Sequence, residues 1–211
     1  ATGEHEAEAA KEMSLTDKVS YNNLKAGKEY TMKGTLMDKE TGEPLLIDGK
    51  KVTKEVTFTP EKADGSVEMT FTFDGSALAG KTVVAFEDCL RDGKEVAVHH
   101  DINSKEQTID IPGLKTELKD DVTGSHNALA EKEMSLTDIA TYTGLIPGKE
   151  YTMKGTLMDK TTGEPLLIDG KKVTKEVTFT PEQPDGSVEL TFTFDGSALA
   201  GKSVVAFEDC F

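Results

Sequence analysis

Seven side chains in this chain of 211 residues carry groups that could react together: Thr116, Asp138 and Glu208 in one part, and Asp17, Glu87, His99 and Gln107 in another. The letters "KEMSLTD" occur at 11 to 17 and again at 132 to 138, an offset of 121 that lays Asp17 on Asp138 and Glu87 on Glu208. Merged by that offset, the seven make one set: a hydroxyl, two carboxyls, an imidazole and a carboxamide. A threonine hydroxyl is a poor nucleophile until a base takes its proton, and a glutamine amide is a poor electrophile until its oxygen is polarised. Histidine would take the hydroxyl proton and later help ammonia leave. A carboxyl kept protonated by apolar surroundings would donate to the amide oxygen, and two neighbouring acids, Asp17 with Glu87, would share one proton. Effective molarities of about 10⁵ M or more make so sluggish an attack feasible once the groups are held together. The product is an ester between Thr and Gln.

The same residues support plainer readings. Glu87 and Glu208 lie in "VVAFE" strands, where a carboxylate is costly unless neutralised, but a strand-end acid can simply emerge into solvent. Asp17 and Asp138 are equally readable as turn residues opening a strand. His99, His100 and Asp101 do not make a metal set, because adjacent residues on a strand point to opposite faces. "DINSKE" (101 to 106) lacks the glycine and terminal acid of a calcium loop. No cofactor or metal is expected. His5 and His126 are equivalent and are expected to be solvated in polar loops; Thr2 and Thr123 are expected to be structural.

The elements that must position these groups are read from alternation. The repeat runs from "KEMSLTD" to "VVAFEDC" at 83 to 89 and 204 to 210, so it is a duplicated domain and not a solenoid unit. Within each copy "KEYTMKGTLM" (28 to 37), "KEVTFTP" (54 to 60), "SVEMTFTF" (66 to 73) and "KTVVAFEDC" (81 to 89) alternate or are β-branched, and Gly, Pro and Asp turns separate them. The fold class is all-β: two tandem Ig-like antiparallel β-sandwich domains, without the tryptophan and cysteine pair of antibody-type domains. "GSALAG" (75 to 80, 196 to 201) is the one helix candidate and is short enough to be a turn. The expected boundaries are 1–107 for a first repeat lacking its opening strand, 108–115 for a linker, and 116–211 for a second repeat lacking its closing strand. Positions 93 to 111 shifted by 121 fall past Phe211, and the counterpart of Thr116 would precede Ala1. Each repeat then holds half a site. The missing strand would come from another molecule by exchange, or the ends stay unreacted; direct closure of Thr116 on Gln107 is disfavoured by the eight residues between them.

A net charge of −15 argues against nucleic-acid binding, which needs clustered Lys and Arg, and against an anionic membrane surface. No apolar run approaches the roughly 20 residues of a bilayer span, so no membrane insertion is expected, and any targeting signal is expected outside this chain. Cys89 and Cys210 are 121 apart, one per repeat, and are expected as two buried thiols.

"SLTDKVSYNNLKAGKEYTMKGTLMDKETGEPL", "VVAFED" and "GKEVAVHHDINSKEQTI" resemble the VaFE-type repeats of Gram-positive surface adhesins, over essentially the whole chain. The resemblance implies Ig-like domains that build an intramolecular Thr–Gln ester between first and last strands. By the family's motif the acids are Glu87 and Glu208 of "VVAFE" and Asp17 and Asp138 of "D-x-x-x-Y", the histidine is His99, the acyl donor is Gln107 and the reactive threonine is Thr116. Glu117 stands where the family often has a second Thr. The resemblance further implies a stalk on an extracellular, cell wall-anchored surface, with neighbouring repeats as partners, an unknown host ligand and no turnover of external substrate. Three alternatives stay open: an adhesin module binding a host protein or glycan without cross-link chemistry, a hydrolase using Thr, His and the acids, and a Lys–Asn isopeptide in place of the ester.

Overall fold

A computed structural model describes residue 5 and residues 7–211; Thr2 lies outside the described residues. The chain divides into two compact units, Ala1–Gly113 and Leu114–Phe211.

In unit 1, β1 (Met13–Tyr21) pairs antiparallel with β6 (Gly65–Phe73) to make one sheet. The second sheet places β2 (Tyr30–Asp38) between β5 (Thr53–Phe58) and β7 (Lys81–Arg91). A small hairpin of β3 (Leu46–Ile47) and β4 (Lys50–Lys51) sits between β2 and β5 in sequence, turned by Asp48 and Gly49 at φ of 51° and 73°, the left-handed pair that a two-residue hairpin requires. The outer edge of β7 is covered by β8 (Lys94–His99) along Glu87–Arg91, then by β9 (Thr108–Ile111) along Lys81–Val84. Alternation closes the sandwich: Met13, Leu15 and Phe71 from one sheet meet Leu36, Val83, Ala85 and Ile111 from the other.

Unit 2 repeats the plan with different edges. The strand β10 (Gly113–Asp120) joins β11 (Met134–Thr143) and β17 (Gly186–Phe194) in a three-stranded sheet. The facing sheet sets β12 (Tyr151–Asp159) between β16 (Thr174–Phe179) and β18 (Val204–Cys210), with β13 (Glu164–Pro165) on β12 and a hairpin of β14 (Leu167–Ile168) and β15 (Lys171–Lys172). Met134, Leu136, Leu190 and Phe192 pack against Met153, Leu157 and Ala206. "GSALAG" is a turn in unit 1 and one short 3₁₀ turn, Ser197–Leu199, in unit 2.

The boundary between the units falls within residues 108–115, which are strand on both sides of Pro112, in β9 and β10, because each half finds a ladder partner in its own unit. Two expectations need correction. Asp17 and Asp138 do not open strands; each sits mid-strand on the inward stripe of β1 or β11, between Leu15 and Val19 or Leu136 and Ala140. Cys89 is buried as expected, but Cys210 is only half-buried, and no strand among the described residues pairs with the outer edge of β18 there as β8 does with β7 at Cys89.

Candidate functional site

Each sandwich offers one carboxyl from each sheet to its interior. In unit 1, Asp17 lies opposite Met69 on β1 and β6, and Glu87 lies opposite Gly34 on β7 and β2. Gly34 explains how an acid is accommodated there. A Cβ on it would stand 2.6 Å from the Phe71 ring and 2.9 Å from Met69 Cε, so the missing side chain lets the core close over the strand while cross-strand Glu87 shares its inward face. Unit 2 has the same arrangement: Glu208 opposite Gly155, Asp138 opposite Leu190, and a Gly155 Cβ would meet Phe192 at 2.7 Å. Glu87 is 2% exposed and Asp138 0%, so the strand-end reading of Glu87 fails.

These acids are not satisfied as ions. Asp17 Oδ2, Glu87 Oε1, both Asp138 oxygens and Glu208 Oε1 are buried without a hydrogen-bond donor. Burial, and then the facing Asp17 charge, push Glu87 up to about 9; burial and the Asp138 charge push Glu208 up to about 8. Burial also raises Asp17 and Asp138, each offset in part by its glutamate partner. Two facing acids that both resist ionisation hydrogen-bond to each other only when one keeps its proton, so each pair is a shared-proton site.

The hydroxyl, imidazole and carboxamide expected from the sequence are brought to these pairs separately. In unit 1 the Gln107 carboxamide reaches Asp17 and offsets part of its rise, as does the nearby His99 imidazole. His99 Nδ1 lies 3.1 Å from Glu87 Oε2. A one-residue bulge makes that contact: Leu90 pairs with Glu95, but beyond the bulge Cys89 pairs with Ala97 and Glu87 with His99. Without the extra residue the hairpin would set Val98 opposite Glu87 and turn His99 to the outer face. In unit 2 the Thr116 hydroxyl, on β10, reaches Glu208 and offsets part of its rise. Unit 1 therefore gathers Asp17, Glu87, His99 and Gln107, and unit 2 gathers Thr116, Asp138 and Glu208.

Sequence reasoning missed the parts played by five residues. Gly34 and Gly155 look like ordinary strand glycines, and only the register opposite "VVAFE" gives them meaning. His100 turns away from His99, its Nε2 2.8 Å from Asp88 and its ring stacked on Phe86. His5 and His126 are not simply solvated: His5 Nδ1 donates to the carbonyl of Thr108, next to Gln107, and His126 Nδ1 donates to the carbonyl of Leu118, two residues past Thr116. Glu117, at the position of the second threonine, is occupied by Lys119 at 2.9 Å, and that contact holds its carboxyl below the usual range. No helix among the described residues is long and apolar enough to cross a membrane.

The chain is similar in structure to a bacterial adhesin from Mobiluncus mulieris containing intramolecular disulfide, isopeptide and ester bond cross-links. In one crystal form of that protein the identity is 14% and the TM-score 0.47, over 99% of this chain and 77% of the other. In a second crystal form the values are 12% and 0.46, over 96% and 93%. A search of curated protein sequences returns no match. The model of the T-Q ester bond containing domain matches twice, over residues 1–111 and 112–209, covering both sandwiches and their acid pairs. The chain belongs to the T-Q ester bond domain family, with one domain in each unit.

Proposed function

We propose that each unit is a load-bearing segment of an extracellular adhesin stalk, built to close an ester between a threonine on its opening strand and a glutamine on its closing segment. The observation that carries this reading is the inward-facing acid pair in both units, which keeps carboxyl oxygens buried without a donor and has a carboxamide against it in one unit and a hydroxyl against it in the other.

The chemistry follows from the positions. Neutral Glu87 holds its proton on Oε1, toward Asp17 and the amide, while its Oε2 accepts the Nδ1 proton of His99. His99 Nε2 is then free to take the threonine proton. The hydroxyl oxygen attacks the glutamine Cδ, and the amide oxygen gathers charge against the proton held by the acid pair. As the intermediate collapses, the C–N bond breaks, the imidazole returns its proton to nitrogen, and ammonia leaves with the ester in place. The acids and the histidine end as they began, so the reaction happens once per domain.

The outer edge of β18 carries no partner strand among the described residues, and it would accept the closing segment of a second copy as readily as one in its own chain. Strand exchange of that kind gives covalent head-to-tail multimers. The test is intact mass on a chain extended past Phe211 by a counterpart of residues 91–111. One ester lowers the mass by about 17 Da, one ammonia, and Thr116→Ala restores it. Full mass with both partners present overturns the reading, and a ladder of multimers each short of one ammonia identifies exchange.

A further inference from the structure

We propose that Phe86, Asp88 and His100 form a clamp on the outer face of unit 1 that aims the His99 imidazole at Glu87, which makes them positioning residues for the seam chemistry. The proposal rests on the ester reading for its purpose, but the clamp itself stands on geometry.

The strand β8 is weakly held. None of its side chains is buried, and Val96 and Val98 remain 46% and 49% exposed. Its register past Cys89 depends on a bulge, which disrupts the ladder locally and bends the strand. The His99 side chain is itself 46% exposed and reaches Glu87 from the rim. A backbone ladder alone leaves such an imidazole free to turn out into water.

The next residue supplies what β8 lacks. His100 lies on the opposite face, where Phe86 and Asp88 of β7 project outward on either side of inward Glu87. The His100 Nε2 proton goes to Asp88 Oδ1 at 2.8 Å, and its ring lies on Phe86 with centroids 5.0 Å apart and planes 17° apart. Immediately beyond, Asn103 N donates to Asp101 Oδ1 at 2.9 Å and Ser104 N to the Asp101 carbonyl at 3.0 Å, closing the turn toward Gln107. The clamp thus sits between the bulge that sets the face of His99 and the turn that delivers the glutamine. Unit 2 shows what it covers: Phe207, the counterpart of Phe86, is 59% exposed. The aromatic of "VVAFE" is therefore not a core residue, and a covering ring gives it a use.

The test has two arms on the 211-residue chain. In the first, nitrogen NMR of the imidazoles reads the His99 tautomer at a pH where the rings are neutral. The wild type should show the Nδ1–H form alone, Phe86→Ala and His100→Ala should show a mixture of both tautomers, and His100→Phe, which keeps the stack, should recover part of the wild-type signal. An unchanged His99 signal in both alanine variants overturns the clamp. In the second arm, a synthetic peptide of residues 113–121 is offered to the chain, and mass spectrometry follows an adduct equal to chain plus peptide less one ammonia. His100→Ala should slow the adduct by about tenfold or more. Equal rates overturn the proposal. A wild type that forms no adduct counts against the ester reading, and the tautomer arm then decides the clamp alone.

Discussion

The outer edges of β7 in unit 1 and β18 in unit 2 are near-identical in sequence and different in surroundings. Along β7 the ladder continues into β8 and β9, Val83 and Val84 are fully buried, and Phe86 lies under His100. Along β18 the ladder stops at β12, Val204 and Val205 are half-buried, and Phe207 is exposed. Yet in both units the acid pair keeps carboxyl oxygens buried without a donor and a glutamate that holds its proton. The difference teaches that the carboxyls belong to the sandwich, fixed by strands present in each unit, whereas hydroxyl and imidazole are carried by edge strands and the carboxamide by the short 3₁₀ turn Lys105–Gln107 ahead of β9, and each arrives only with its segment.

The largest test of that division is to complete an edge. Closing an ester across the roughly 110 residues of unit 2 removes unfolded-chain entropy worth about 4–5 kcal/mol by analogy with disulfides. At about 4–8 °C per kcal/mol for a domain of this size, the extended chain should melt some tens of degrees above its Thr116→Ala variant, and scanning calorimetry would read the gap. Equal melting would mean that the seam adds nothing to the sandwich.

A second test exploits the acids in the unlinked chain. Glu87 and Glu208 bind protons more tightly folded than unfolded, so between the ordinary glutamate range and their folded values the native state holds the extra proton. Stability therefore falls as pH rises. In unit 1 the loss should run from about 4.5 to about 9 and in unit 2 from about 4.5 to about 8. Amide exchange followed separately in β7 and β18 would show it, and Glu87→Gln should flatten the profile of unit 1 alone. A profile that stays flat in the wild type would sink the shared-proton pair.

Smaller effects sharpen the picture. Gly34→Ala and Gly155→Ala press a methyl onto Phe71 or Phe192 and should each cost about 1–3 kcal/mol by denaturant midpoint. The two costs should be alike, because the seam is common to both units. Phe207→Ser should change stability by no more than about 0.5 kcal/mol, whereas Phe86→Ser should cost measurably more.

The sandwich was legible because alternation needs only near neighbours: β2, β5, β6 and β7 fall where "KEYTMKGTLM", "KEVTFTP", "SVEMTFTF" and "KTVVAFEDC" place them. Asp17 was ambiguous for the same reason, since an acid interrupts the apolar stripe that would have revealed β1. The sharing between Asp17 and Glu87 follows from two sheets packing face to face, and no local pattern carries that. Gly34 acquires its role from a strand 53 positions away. The break at Pro112 and Gly113 was legible and falls at the boundary between the two units, but the strands on either side of it were not, since their ladder partners lie far off in sequence.

The extra residue in the arm of β8 has a bearing on how relatives should be aligned. Facing along a strand is a matter of odd and even, so between Asp92-Gly93 and His99 an insertion or deletion of one residue exchanges the inside for the outside, whereas a change of two restores it. Length variation in that arm should come in pairs wherever an imidazole still serves the interior.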